Sequence, residues 1–179
     1  MRGSFGSLVD FLLLRVNALG LMTPSCVLTF AFLIGVIAGL RSFTAPATVA
    51  WGLHLGWFSV GASRLAFMGS TAAVIVVSLM AFGELIADKL PSTPNRTSPV
   101  GLIGRFILGG FAGAILATAG GQSLIVGAVL GGIGGIVGAF AGYQVRTRLV
   151  KALKCPDFVI AILEDAVAIG GGLFIASRF

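Results

Sequence analysis

Residues 106–145 make up 40 consecutive positions without a charged side chain. As one α-helix this run would be about 60 Å long, twice the roughly 30 Å hydrocarbon thickness of a bilayer. It must therefore fold back on itself. Gly120-Gly121-Gln122-Ser123 is its only polar, flexible stretch, so the turn is expected there. That gives two membrane spans, at 102–119 and 124–145.

Three further uncharged runs, 16–40, 42–63 and 65–83, extend the pattern toward the N-terminus. Thr23-Pro24-Ser25 reads as a helix start, because proline is tolerated in a first turn. The first span is expected over 24–40, with Arg41 and Pro46 marking a break. Segment 47–60 holds Trp51, His54 and Trp57, and tryptophan favours the headgroup level. It is read as the same helix continuing past a kink; a separate sixth span is the competing reading. A second span is expected over 64–87, then a loop at 91–95, where Pro91 and Pro94 cannot continue a helix. A last span is expected over 158–176. Segment 1–22 mixes Asp10, Arg15 and Asn17 with leucines, which suits an interfacial helix better than a span. The same charges spoil it as a cleavable leader. The expected fold class is all-α: a polytopic membrane bundle of about five spans plus that N-terminal helix, with 23–179 as one transmembrane domain.

Composition narrows the function classes. Hydrophobic residues are 57% of the chain and charged residues 10%, against about 25% in soluble domains. No polar stretch is long enough for a separate catalytic domain. Two distant cysteines, Cys26 and Cys155, and a single histidine provide neither a disulfide framework nor a metal site. No cofactor is expected, and no enzyme activity, because no nucleophile–base set is present. The net charge of +6 is read as a cationic skirt facing anionic lipid headgroups rather than a nucleic-acid surface. With five spans, Arg2, Arg15, Lys89, Arg96, Arg105, Arg146, Arg148, Lys151 and Lys154 share one side, and Arg41, Arg64 and Arg178 the other. The first side is then cytoplasmic, which puts loops 88–105 and 146–157 inside a bacterial inner membrane. Asn95-Arg96-Thr97 matches a glycosylation triplet but falls on that inner side.

The acids carry the chemistry. A carboxylate at the centre of a membrane helix costs about 2.5–3.5 kcal/mol even on lenient scales. Glu84 and Asp88 are four apart and share a helix face. Glu164 and Asp165 lie about seven residues into the last span. With Arg41, these carboxylates form a candidate ion- or substrate-binding set; the competing reading is a structural salt bridge of Glu164 with Arg41 or Arg105. Ser42, Thr44 and Pro46 form a candidate broken-helix site, in which proline frees a backbone carbonyl and hydroxyls satisfy it. Gly127, Gly131 and Gly135 repeat every four residues, as do Gly134, Gly138 and Gly142. Such ridges let helix backbones approach closely. Ala38-Gly39 and Ala141-Gly142, each followed by a later glutamate-bearing span, leave open an inverted repeat of the kind found in transporters.

Gly39-Leu40-Arg41-Ser42-Phe43, then 84–91 reading Glu-Leu-Ile-Ala-Asp-Lys-Leu-Pro, then Leu163-Glu164-Asp165, resemble the small bacterial membrane proteins of the domain of unknown function 4126 (DUF4126) family. The resemblance runs from the first span to the last. It implies a prokaryotic multi-span protein and marks Arg41, Glu84, Asp88, Lys89, Glu164 and Asp165 as motif positions, without supplying a substrate. Two functions are expected of such a chain. One is a small transporter or channel, coupled to a proton or cation. The other is an accessory subunit of a larger membrane complex held by glycine-rich packing. Either would be a homo-oligomer or part of an assembly.

Overall fold

The computed structural model describes residues 22–87, 98–154 and 156–179, and among them it is entirely helical, with no strand. The elements are α1 (Pro24–Leu40), α2 (Thr44–His54), a 3-10 helix (Arg64–Gly69), α3 (Thr71–Ala87), α4 (Pro99–Ala119), α5 (Leu124–Leu153) and α6 (Asp157–Ala176). Three of them, α4, α5 and α6, are long and apolar enough to cross a membrane; α1 and α3, at 17 residues each, are apolar but shorter. The expected interfacial helix over 1–22 and the acid Asp88 lie outside the described residues, apart from Met22.

Local chemistry sets the helix ends. Thr23 and Ser98 accept from the backbone N–H three residues on, at Cys26 and Gly101, and each is followed by proline at the first helical position. The α4–α5 turn falls at Gly120–Ser123, with Gly121 at φ +68°, a conformation glycine adopts without strain.

Contacts between helices fix their directions. Val27 meets Gly120 near one end of α1, and Arg105 meets Gly39 near the other, so α1 and α4 are antiparallel. Gly35 lies against Gly131 and Gly39 against Gly138, so α1 and α5 are parallel. Arg41 pairs with Asp165, and Ile37 meets Gly171, so α6 descends where α1 ascends. Thr48 faces Gly172 and Gly52 faces Ala176, so α2 runs with α6 and against α1. Trp51 bonds Ser78 and Ser42 bonds Glu84, so α3 ascends again.

These directions and the element bounds correct five expectations. Segment 47–60 does not continue α1 past a kink. The chain reverses at Arg41–Phe43, and α2 is a separate, short, antiparallel helix. Pro46 is not the break but sits in the first turn of α2, where its missing N–H has no helical partner to lose. Arg41 stands at the same end of the bundle as Arg105 and Arg146, not at the opposite one, because the reversal follows it directly. The expected 64–87 span is divided: Ser70 separates the 3-10 helix from α3. Finally, Ala38-Gly39 and Ala141-Gly142 sit on parallel helices, and α5 runs unbroken through Gly142. An inverted repeat pairing these two segments would require antiparallel helices.

The packing centre is the trio α1, α4 and α5. All six ridge glycines, Gly127, Gly131, Gly135, Gly134, Gly138 and Gly142, are buried on α5. A Cβ on Gly131 would overlap the Gly109 carbonyl of α4, and one on Gly35 would overlap the Gly131 carbonyl. Each interior glycine costs a helix about 1 kcal/mol relative to alanine. Here the absent side chains let backbones touch, and dispersion and Cα–H···O contacts offset that cost. α3 is the opposite case: it packs on α2 and the 3-10 helix, and Val74 is its one buried residue.

Candidate functional site

The reversal at Arg41–Phe43 poses an accounting problem. Helix α1 ends with carbonyls that have no helical donor, and α2 begins with N–H groups that have no helical acceptor. In a low-dielectric surrounding each unpaired group would cost several kcal/mol. Charged side chains from two other helices meet this demand. Glu84, near the end of α3, accepts the N–H of Ser42 on Oε1 at 2.7 Å and that of Phe43 on Oε2 at 2.9 Å. A carboxylate there also opposes the positive end of the α2 dipole. Arg105, buried and the only charge in α4, donates from Nε to the Gly39 carbonyl at 3.0 Å and from Nη1 to Gly101 O at 3.2 Å. A cation at the α1 C-terminus opposes the negative end of that dipole.

Arg41 completes the cluster. It is 0% exposed, and its Nε and Nη2 both approach Asp165 Oδ1 at 2.6 Å. Asp165 is eight residues into α6, about 12 Å along the helix. The ionic group is thus buried in an apolar bundle, with Glu84 on the α2 side of the turn, Arg105 on the α1 side and the Arg41–Asp165 pair at the turn itself. Buried pairs of this kind are costly to break, since removal of one partner strands the other charge.

Glu164 takes a different direction. Adjacent residues on a helix point about 100° apart, and Glu164 faces α5, not α1. Its Oε2 lies 3.5 Å from Nη1 of Arg146, whose Nε also donates to Asp157 Oδ1 at 2.9 Å and whose Nη2 contacts Asp157 Oδ2. The salt bridge expected with Arg41 or Arg105 is therefore made with Arg146. Of the sequence-derived set, Arg41, Glu84, Asp165, Ser42 and Thr44 are gathered at the turn, with Pro46 in the first turn of α2. Glu164 stands in the neighbouring Arg146 cluster. The hydroxyls play a smaller part than expected: Ser42 contributes its backbone N–H, while the Thr48 hydroxyl donates to the Ala45 carbonyl within α2 at 3.0 Å.

Arg105, Arg146 and Asp157 were absent from the sequence-derived set. Arg105 carried a usable signal, as a lone charge in a 21-residue apolar helix. Among the described residues no group of three metal-ligating side chains occurs.

Two clefts adjoin these clusters. One, of about 400 Å³, opens between α2, α3 and α6 beneath the turn, lined by Thr44, Thr48, Trp51, Phe82, Leu85 and Ile169 among others. The other, of about 270 Å³, lies between the end of α1, α5 and α6, with Arg146 and Glu164 in its wall.

No family model, no curated protein and no solved structure matches the chain.

Proposed function

We propose that this chain is a multi-pass protein of the bacterial inner membrane, related to the DUF4126 proteins, that acts as a small transporter or channel coupled to a proton or cation. One observation carries the reading: the Arg41–Asp165 pair and the Glu84 carboxylate are gathered at a helix reversal inside an apolar bundle. Discontinuous helices with ionisable groups at their ends are the usual equipment for binding and releasing a charged species within a membrane. In this mechanism Glu84, Asp165 and Glu164 take up and release the coupling ion, and Arg41 alternates between Asp165 and an anionic solute. The 400 Å³ cleft below the turn is the route to it.

In this reading the helices alternate direction at every connection, and α2, at 11 residues, is a half-crossing supported by α6 and α3. Arg41, Arg105, Arg146, Arg148, Lys151 and Lys154 lie toward one end of the bundle and Arg64 and Arg178 toward the other, so the first end is cytoplasmic. Phe30 and Phe179 meet edge to face at 5.9 Å, so the start of α1 and Phe179 share one end of the bundle, which this reading takes as the outer one.

Reconstitution tests the function. Protein in liposomes is expected to conduct or exchange protons or monovalent cations, and Glu84→Gln, Glu164→Gln and Asp165→Asn are each expected to reduce the flux. Equal flux from all three variants and the parent would remove the carboxylates from the mechanism. Cysteines placed at Lys154 and Ser177, with Cys26 and Cys155 replaced by serine, test orientation: an impermeant reagent added outside is expected to label only the second.

The alternative, an accessory subunit, draws on α3. Its outward residues Ile75, Val76, Leu79, Met80, Phe82 and Ile86 are all more than half exposed except Met80 at 45%. A larger partner retained in stoichiometric amount through detergent purification would favour that reading.

A further inference from the structure

Helix α2 is 11 residues long, about 16 Å, and one wall of the cleft of about 400 Å³ follows it from Thr44 at the reversal to Leu55 just past its end. The facing walls come from α3 and α6. Trp51, Phe82 and Ile169 on the rim are exposed, so the cleft is open from the side of the bundle. Among the described residues no charged side chain lines it, but three hydroxyl side chains do. Thr48 donates to the Ala45 carbonyl at 3.0 Å, and Ser78 accepts from the Trp51 indole Nε1 at 3.1 Å. Thr44 is different. It is 3% exposed, and its hydroxyl opens on the cleft with no hydrogen-bond partner among the described residues. With lipid rather than water outside the bundle, a hydroxyl in such a wall stays unpartnered, which is costly. A ligand that brings the partner recovers that cost.

We propose that this cleft binds a small neutral amphiphile, a one- or two-ring molecule whose hydroxyl or carbonyl oxygen hydrogen-bonds the Thr44 hydroxyl. Its apolar body lies along α2, between Phe82 of α3 and Ile169 of α6, and ends at the Trp51 indole. Three features select that class. The uncharged, apolar lining disfavours an ion, which would lose its hydration without gaining a counter-charge. The open hydroxyl disfavours a bare hydrocarbon or a lipid tail, since neither has a group to offer it. The volume is near the lower end of the roughly 300–1,000 Å³ usual for small-molecule pockets, which suits a ring system and not a whole phospholipid. The Trp51–Ser78 bond holds the indole between two of the walls, so an aromatic surface is in place before a ligand arrives. A neutral occupant leaves Arg41–Asp165 and the Glu84 cap as they are. The inference rests on the membrane setting of the proposed function and on nothing about transport; the site is read by binding and not by flux, so either reading can fail alone.

Trp51 reports on the site, and Trp57→Phe leaves it the sole tryptophan of the full chain. That protein, in detergent, is titrated with 6-bromo-2-naphthol and separately with 2-bromonaphthalene, two quenchers that differ by one hydroxyl. Saturable quenching of Trp51 is expected from both, with the naphthol bound about tenfold more tightly. Thr44→Val keeps the shape of the side chain and removes the hydroxyl, and is expected to abolish that difference; Thr44→Ser is expected to keep it. Ala81→Leu and Leu85→Phe crowd the cleft from α3 and are each expected to weaken both probes. Trp51→Phe leaves Trp57, which is outside the lining, and its quenching is expected not to saturate, as for probe merely dissolved in detergent. Equal affinity for the two probes, or a difference that survives Thr44→Val or is lost in Thr44→Ser, would overturn the site. So would quenching of Trp51 that never saturates, or that neither crowding variant alters.

Discussion

The two halves of the bundle hold together by different means. On one side, α1, α4 and α5 meet backbone to backbone through Gly35, Gly39, Gly109, Gly113, Gly127, Gly131 and Gly138. On the other, α2, α3 and α6 meet through larger side chains, leave a 400 Å³ cleft, and are tied to the first side by Arg41–Asp165 and Glu84. Glycine contact is short-ranged and has one good arrangement, so it makes a rigid body. Ion pairs and loose apolar contact admit alternative arrangements, so the second side is less tightly fixed by packing. Glycine therefore plays different parts at different positions. Gly131 is enclosed by the backbones of two neighbours, whereas a Cβ on Gly170 of α6 would meet nothing within 4 Å.

Substitutions can break this contrast. The largest effect is expected for Gly131→Leu, whose side chain would have to displace the backbone of α4 at Gly109 and Gly113. A loss of about 4 kcal/mol or more, or no folded protein, is expected in chemical denaturation of the detergent-solubilised chain. A stable, folded variant would mean that the trio is not close-packed. Next is Arg41→Ala, which strands Asp165 and is expected to cost about 3–5 kcal/mol by the same measurement. The double variant Arg41→Met/Asp165→Leu should recover much of that, because neither charge is left alone. Failure to recover would assign Arg41 a role beyond the pair. Glu84→Ala leaves two N–H groups of the reversal without acceptors and is expected to cost about 2–3 kcal/mol. Amide hydrogen exchange should localise that effect to the start of α2; protection unchanged at Ser42 and Phe43 would show that the carboxylate is dispensable as a cap. The smallest effect, and the one of opposite sign, is Gly170→Ala. With open space around it and a helical backbone, it is expected to stabilise α6 by up to about 1 kcal/mol, seen as a higher melting temperature. A loss of stability there would erase the distinction between the two sides.

Local features announced themselves in the sequence. The α4–α5 turn is legible because a 40-residue uncharged run cannot cross a bilayer once, and only Gly120–Ser123 can bend. The starts of α1 and α4 are legible because Thr-Pro and Ser-Pro cap a helix with atoms three residues away. The α5 glycine ridges are legible because their spacing is that of the helix itself. The break expected at Arg41 and Pro46 was read as a kink in one helix rather than a reversal. Proline is the conspicuous breaker, yet at the third position of α2 it breaks nothing. The real turn at Arg41–Phe43 carries no proline or glycine and exists because Glu84 and Arg105, 42 and 66 residues away from their bonded groups, supply its missing hydrogen bonds. The partners of Glu164 and Asp165 were illegible for a related reason. Two neighbours on a helix face different helices, and which helices those are depends on the packing of the whole bundle.

Composition and charge spacing alone determined that this chain is helical and apolar and where its long hairpin bends; of the buried charges they singled out Arg41 and Asp165 but not Arg105. These follow from the length of a helix and from the cost of leaving charge in an apolar surrounding, both of which act along the chain. Only the tertiary structure decided that α2 turns back against α1, that Arg41 belongs with Asp165, and that Glu164 belongs with Arg146. Those outcomes depend on close approach between segments far apart in sequence, made possible where glycine removes the side chains that would keep them apart.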